Sequence, residues 1–500
     1  MENHFDVLVI GKGIAAMTAA LQLASSGVRV ALISKGDGSN TNSSLAQGGI
    51  VYKAIDDKEE YLVQDVLEAG KNIGDLSAIQ FLAKRGPELI ESFLIDKVKV
   101  PFDRTADGLL SITQEGAHSK KRIIHFKDHT GKAIIDALEV KVDQHPNIKV
   151  YANVKATRLL HDEERGCYGA ICYDLKNDCL FPLLASFVVL AAGGVGNLYL
   201  SSTNHNGIYG EGLALAKSIG AETKNLEYLQ FHPTCFYGEN VRFLLSEAMR
   251  GEGAILLDAD LKPFMHLYDE KKDLAPRDVV SKSMYIEMQK SDVSHLYLDI
   301  SHKESSWIKN RFPMLYEKCL EQDIDMTKNP IPVAPAAHYH CGGVVVDLKG
   351  RTSIPNLYAV GEVSCTGIHG ANRLASTSLL EGLVWGDACS TDVMQNFRKA
   401  SFPDCIGIPS IQHAKSDEEK DLFLINLQTI MWEHVGIMRT SKGLETAISK
   451  LKKMQNQVIE NNFFDPHQNL MKNALVASLA IAESALLNKN SLGCHIRLDD

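Results

Sequence analysis

The chain's first clear pattern is an unbroken apolar run, Val7-Leu8-Val9-Ile10, that stops at Gly11-Lys12-Gly13. Mostly apolar residues continue from Ile14 to Ala24, and a second apolar run, Val28 to Ile33, follows Gly27. Runs of this length bounded by glycine predict a buried strand, a tight turn, a helix and a second strand. Two later segments repeat the strand-into-glycine pattern. "FVVLAAGGVGNLY" (Phe187 to Tyr199) is one; "LYAVGEVSCTGIHGANRLASTSLLEGLVWG" (Leu357 to Gly386) is the other, ending in a helix. Strands so far apart that end in the same kind of turn predict one α/β sheet of the Rossmann-like class, built from distant segments. The residues between them are then an insertion.

The first turn carries chemistry. Gly11 and Gly13 let backbone N–H groups approach a pyrophosphate at a helix N-terminus, and Ala16 replaces the third glycine of the dinucleotide pattern. The second strand ends in Ser34-Lys35-Gly36, where an acidic residue normally takes the ribose hydroxyls. A lysine suits phosphate better, and this turn alone leaves FAD and NADP both open. "NSSLAQGGI" (Asn42 to Ile50) offers small residues and Gly48-Gly49, so a backbone can lie flat against a planar ligand. Glu362 follows a strand end, where a carboxylate can hold sugar-like hydroxyls. Ser376, Thr377 and Ser378 stand at a helix start, so one of them is expected to cap it.

Composition narrows the function. Of 500 residues, 45% are hydrophobic and 23% charged, the balance of a globular protein of two or three domains. The formal net charge of −10 argues against general nucleic-acid binding. The sequence reading finds no stretch apolar enough to span a bilayer and no room for a signal peptide before Val7, so a cytoplasmic protein is expected. Ten scattered cysteines without a C-x-x-C pair suggest neither a metal site nor a disulfide framework.

An anionic ligand would need a local cluster of cations set against that overall charge. Four segments supply candidates: "QFHPT" (His232), "DLAPRDVV" (Arg277), "PAAHYHCGG" (His338, His340) and "IHGANRLAS" (His369, Arg373). Together they could hold a buried dicarboxylate, because several charge-assisted hydrogen bonds offset its desolvation. "TQEGAHS" (Thr113 to Ser119) has no periodicity and reads as a loop, ordinarily a solvated one. It places a carboxylate, Glu115, among small residues.

The segments "NSSLAQGG", "QFHPT", "SEAMRGEG", "APRDVV", "AAHYHCGGV", "YAVGEVS" and "HGANRLAS", in this order, resemble the fumarate reductase/succinate dehydrogenase flavoprotein family. The resemblance implies an FAD-binding α/β domain over residues 1–230, resumed over 342–410. It also implies an inserted α+β capping domain over 231–341 and, after the charged linker His413 to Asp421, a C-terminal helical domain over 417–500.

By the same resemblance, pyrophosphate and adenosine lie along Gly11, Lys12, Gly13, Ile14, Ala15 and Lys35. The flavin lies along Asn42, Ser43, Ser44, Leu45, Ala46, Gln47, Gly48 and Gly49, with Glu211, Glu362, Ser378 and Leu379. Respiratory members carry a histidine that bonds FAD covalently; Asn42 stands there, so non-covalent FAD is implied. Arg277 is the proton-transferring arginine, and His232, Ser246, His338 and Arg373 hold substrate carboxylates. Glu115 meets a substrate amine.

The implied reaction is oxidation of L-aspartate to iminoaspartate, with oxygen or fumarate as acceptor and quinolinate synthase as the partner that takes the product towards NAD. Leu492 stands where relatives tend to have arginine, which puts a role for the tail in question. Two rival readings remain at this stage: a respiratory dicarboxylate enzyme, and a flavin-binding scaffold without turnover.

Overall fold

The computed structural model describes residues 3–36, 41–53, 56–239, 241–403, 405–458 and 463–499. The opening apolar run lies in the strand His4–Ile10, inside a seven-stranded sheet. Its strand order is Ile148–Ala152, Val30–Ser34, His4–Ile10, Cys179–Leu190, Gly166–Asp174 and Val154–Asp162. Val7 pairs in parallel with Val30 on one side and Phe187 on the other. The seventh strand, Leu357–Ala359, runs parallel to Val188, Val189 and Leu190, so the sheet does combine distant segments.

Successive residues of a strand face opposite ways. Val7, Val9, Val30 and Leu32 therefore enter a core with the helices Ile14–Ser25 and Ser378–Gln395. Leu8, Ile10, Ala31 and Ile33 enter a second core on the other face, with Leu213, Leu427, Leu444 and Ala477. Burial on both faces is why the run is continuously apolar rather than alternating. The second strand starts at Val30, two residues later than the apolar run, because Val28 is only half buried.

A separate antiparallel sheet is ordered Leu229–Phe236, Ile331–His340, Leu296–Asp299, Ile255–Leu257. It has its own core of Phe236, Leu256, Val280, Leu298 and Ile331. The chain enters and leaves this region on two neighbouring, paired strands. Their register shifts between His232 and Cys235, around Pro233, which has no N–H to give to the ladder.

The C-terminal part is helical: Asp417–Val435, Ser441–Met454 and Pro466–Leu487. Ser416 and Glu419 form a capping box, so the charged run Asp417 to Asp421 is the start of a helix rather than linker. Pro466–Leu487 corrects one expectation, since by length and composition it is apolar enough to cross a bilayer. It packs instead as a core helix against Glu211–Ser218, Asp417–Val435 and Ser441–Met454.

Candidate active site

Gly11 has φ +125°, and a Cβ there would stand 2.1 Å from the carbonyl oxygen of Ala191. Only glycine closes this turn against the neighbouring strand. The helix Ile14–Ser25 then opens at Gly13; among the described residues no side chain caps Gly13, though the Ile14 N–H donates to Ser43 Oγ at 3.2 Å. A cavity of about 550 Å³ begins at this turn, passes Asn42 to Gly49 and ends at Arg373.

Of the predicted cofactor residues, Gly11, Lys12, Gly13, Ile14, Ala15, Lys35, Asn42, Ser43, Leu45, Ala46, Gln47, Gly48, Gly49, Glu211, Glu362, Ser378 and Leu379 line that cavity. Ser44 does not. Its hydroxyl donates to the Thr41 carbonyl at 2.8 Å and accepts from the Thr41 N–H at 3.0 Å, closing a local turn.

Lys35, read as a phosphate ligand, is engaged by Glu211 at 2.6 Å and by the Gly207 carbonyl at 2.9 Å. Lys12 Nζ lies 2.9 Å from Glu139. The far end is bounded by Lys155, Asn469, Leu470 and Asn473, which sequence reasoning missed. Burial brings the Lys155 ammonium down to about 8.

Asn42 sits with its Oδ1 accepting from the His205 N–H at 3.0 Å and its Nδ2 directed at Glu362, 3.5 Å away. Glu362 also accepts from the His340 N–H at 3.1 Å, and burial pushes its carboxyl up to about 7. Of Ser376, Thr377 and Ser378, Thr377 takes the N-cap position of the helix Ser378–Gln395, but no side-chain cap bond forms among the described residues. Each hydroxyl has another partner: Ser376 donates to Glu115, Thr377 to the Leu374 carbonyl at 2.7 Å, and Ser378 accepts from Arg373 at 3.0 Å. The helix start is left open towards the cavity, where its N–H groups favour partial negative charge.

The cation cluster assembles at the other end. Arg373 and Arg277 are both almost fully buried, with His232 and His338 beside them, their rings 5.0 Å apart. His232 Nδ1 accepts from the Thr234 N–H at 3.2 Å, so Nε2 carries the hydrogen; it is buried with no partner among the described residues. Burial, then the Arg277 charge, holds this imidazole well below its usual range. His232 is therefore a neutral donor waiting for an acceptor.

Arg373 donates from Nη2 to His338 Nε2 at 2.9 Å, and its guanidinium lies 4.5 Å over the Tyr339 ring. Its Nε has no partner among the described residues. Ser246 lines the same end, its hydroxyl accepting from the Ala248 N–H at 3.2 Å. His340 and His369 lie outside the cluster: His340 donates to the Leu226 carbonyl at 3.0 Å, and His369 pairs with Glu381 at 3.0 Å.

Glu115 is 4% exposed, so "TQEGAHS" is not a solvated turn. Its Oε2 accepts from Ser376 at 2.5 Å, and a Cβ on Gly48 would stand 1.9 Å from its Oε1. Glycine at 48 is what lets this carboxylate reach the floor of the site. Burial and the neighbouring Glu247 raise its carboxyl above the usual range.

Glu247, Gln230 and Arg250 went unassigned in the sequence reading. Arg277 Nε donates to Glu247 Oε2, and its Nη1 to Gln230 at 3.0 Å. Arg250 lies 3.4 Å from the other Glu247 oxygen. The available signal was "SEAMRGEG", where Glu247 and Arg250 are one helical turn apart. A carboxylate between two arginines is invisible until the second chain segment is placed.

A nucleotide turn, a flat backbone stretch and a carboxylate cage in one cavity define an FAD-dependent oxidoreductase acting on small acids. The chain matches the FAD binding domain family over residues 6–379 and the fumarate reductase flavoprotein C-terminal family over 425–500. Within that class it belongs to the L-aspartate oxidase family.

Two relatives carry that statement. It is 40% identical over 517 residues to the L-aspartate oxidase of Vibrio cholerae, covering 100% of this chain and 96% of that one. It is 37% identical over 509 residues to that of Neisseria meningitidis, covering 100% of both. Among solved structures, the quinol fumarate reductase of E. coli superposes with a TM-score of 0.90 at 26% identity, covering 99% of this chain and 91% of that one.

FAD fits the donors present: glycine turn and open helix starts for phosphate and flavin oxygens, Glu362 for hydroxyls, and an unbroken cavity joining them. The Asn42 amide offers no nucleophilic ring nitrogen. Acid precipitation of the holoenzyme is therefore expected to release yellow flavin into the supernatant, whereas colour retained in the pellet would mean a covalent link elsewhere.

Proposed function

We propose that this protein oxidises L-aspartate to iminoaspartate, with oxygen or fumarate as acceptor, at the end of the cavity between Arg373 and Glu115. The observation that carries this reading is the pairing of a carboxylate cage with one buried carboxylate. Arg373, held by His338, together with the His232 Nε2–H and Ser246 suits two substrate carboxylates. Glu115, across the site, suits an ammonium, whose burial without a counter-charge is prohibitive. Bound FAD supplies the two-electron acceptor.

The chain's own residues orient and handle protons. The cage would fix both ends of the dicarboxylate at the end of the cavity that Gln47 to Gly49 line. Glu115 aligns the amine and takes its proton as nitrogen becomes an imine. With fumarate as acceptor, Arg277 delivers the proton to one carbon of the double bond, the other being the carbon that would take hydride from reduced FAD. Glu247 with Arg250 returns a proton to Arg277. Iminoaspartate is unstable, and quinolinate synthase is the partner we assign to it, in a route towards NAD.

The test is anaerobic. Aspartate should bleach the flavin's visible band, while succinate should bind with little reduction; the reverse result would assign a respiratory dicarboxylate enzyme. Arg373→Lys should shift the aspartate titration to higher concentration, since a point charge replaces a planar fork, with FAD content unchanged. An unmoved midpoint would remove Arg373 from the cage.

A further inference from the structure

His232 and His338 stand on strands, but Arg373 and Glu115 do not, and Glu115 stands on an irregular loop, the least exact kind of support for a site. That loop is nevertheless tightly tied. Ser119, four residues after Glu115, donates to Asp65 Oδ2 from both its N–H and its hydroxyl, each at 2.9 Å. Arg122 reaches the same oxygen from Nη1 at 2.5 Å. Its Nε and Nη2 grip Asp57 at 2.8 and 3.0 Å, and the arginine is fully buried.

His118 bonds the Ala375 carbonyl at 3.0 Å, next to the serine that holds Glu115. Ala117 and Ser376 both have left-handed backbones, φ +65° and +57°, which non-glycine residues adopt only when their surroundings enforce it. A Cβ on Gly116 would stand 2.5 Å from Glu247, so the loop has no room to shift.

We propose that Asp65, clamped by Arg122, is a positioning residue that acts through Ser119 to aim Glu115 at the substrate amine, and so sets the preference for an amino acid over a plain dicarboxylate. The proposal rests on the reading of Glu115 above.

The test measures kcat/KM for aspartate and the Kd of succinate, the latter from the flavin absorbance of the holoenzyme. Asp65→Asn should lower the first about tenfold, leave the second within about twofold, and have no further effect in a Glu115→Gln background. Ser119→Ala leaves the Asp65–Arg122 pair intact and should show the same selectivity at smaller size, which covers a poorly folding Asp65→Asn. Parallel losses of turnover and succinate binding, or an undiminished Asp65→Asn effect without Glu115, would overturn the proposal. If Glu115→Gln is selective while Asp65→Asn and Ser119→Ala are silent, the anchor alone is wrong. If Glu115→Gln itself is silent towards aspartate, the amine reading fails and the anchor falls with it.

Discussion

Glu115→Gln is expected to weaken aspartate oxidation by about 2–3 kcal/mol in kcat/KM while sparing or improving fumarate reduction. The amide keeps the shape and the contact with Ser376 but removes the charge that meets the ammonium. A plain dicarboxylate presents only a methylene there, so the native carboxylate gains nothing from it. Acidity gives the same contrast a second readout. Burial and Glu247 raise the Glu115 carboxyl above its usual range. Below that raised pKa the group is neutral, so kcat/KM for aspartate should fall as pH drops through it. Glu115→Gln should lose this acid limb. Equal losses of both activities would make Glu115 a structural residue of its loop.

Arg277→Leu should act in the opposite direction. Fumarate reduction needs a proton at Cβ, and removing a general acid lowers a rate by about 10²–10⁴-fold. Aspartate oxidation breaks bonds at Cα and nitrogen only, so it should lose less. The substitution also strands Glu247. Burial pushes that carboxyl up, but the charges of Arg277 and Arg250 more than reverse this. With one partner gone, folding stability should fall by about 3–5 kcal/mol, visible as a lower Tm. Matched losses of the two activities would mean that Arg277 binds substrate without serving as the acid.

The apolar runs at Val7 to Ile10, Phe187 to Leu190 and Leu357 to Ala359 announced the sheet because burial on both faces leaves no polar position to blur the pattern. The glycine turns were legible for the same local reason: Gly11 has a requirement set by its own backbone. What was not legible depends on distant segments meeting. Ser44 belongs to a segment that otherwise lines the cavity, yet its hydroxyl turns back to Thr41. Lys35 suited a phosphate in isolation, but the fold brings Glu211 to it. The hydroxyls from Ser376 to Ser378 looked like caps until Glu115, Leu374 and Arg373 competed for them. Glu115 itself looked like a turn residue, because nothing local says that Gly48 makes room for it.

The cavity is finished by segments far downstream of the turn that opens it. The turn at Gly11 is made almost at once, but Leu357–Ala359 and the open helix start at Ser378 come after most of the chain. Asn469 and Asn473, which bound the end beside Lys155, come later still. A chain halted before Pro466 would carry the whole seven-stranded sheet and yet leave that end of the cleft unwalled. Walling of that end therefore waits on a helix at the opposite end of the described chain from the glycine turn.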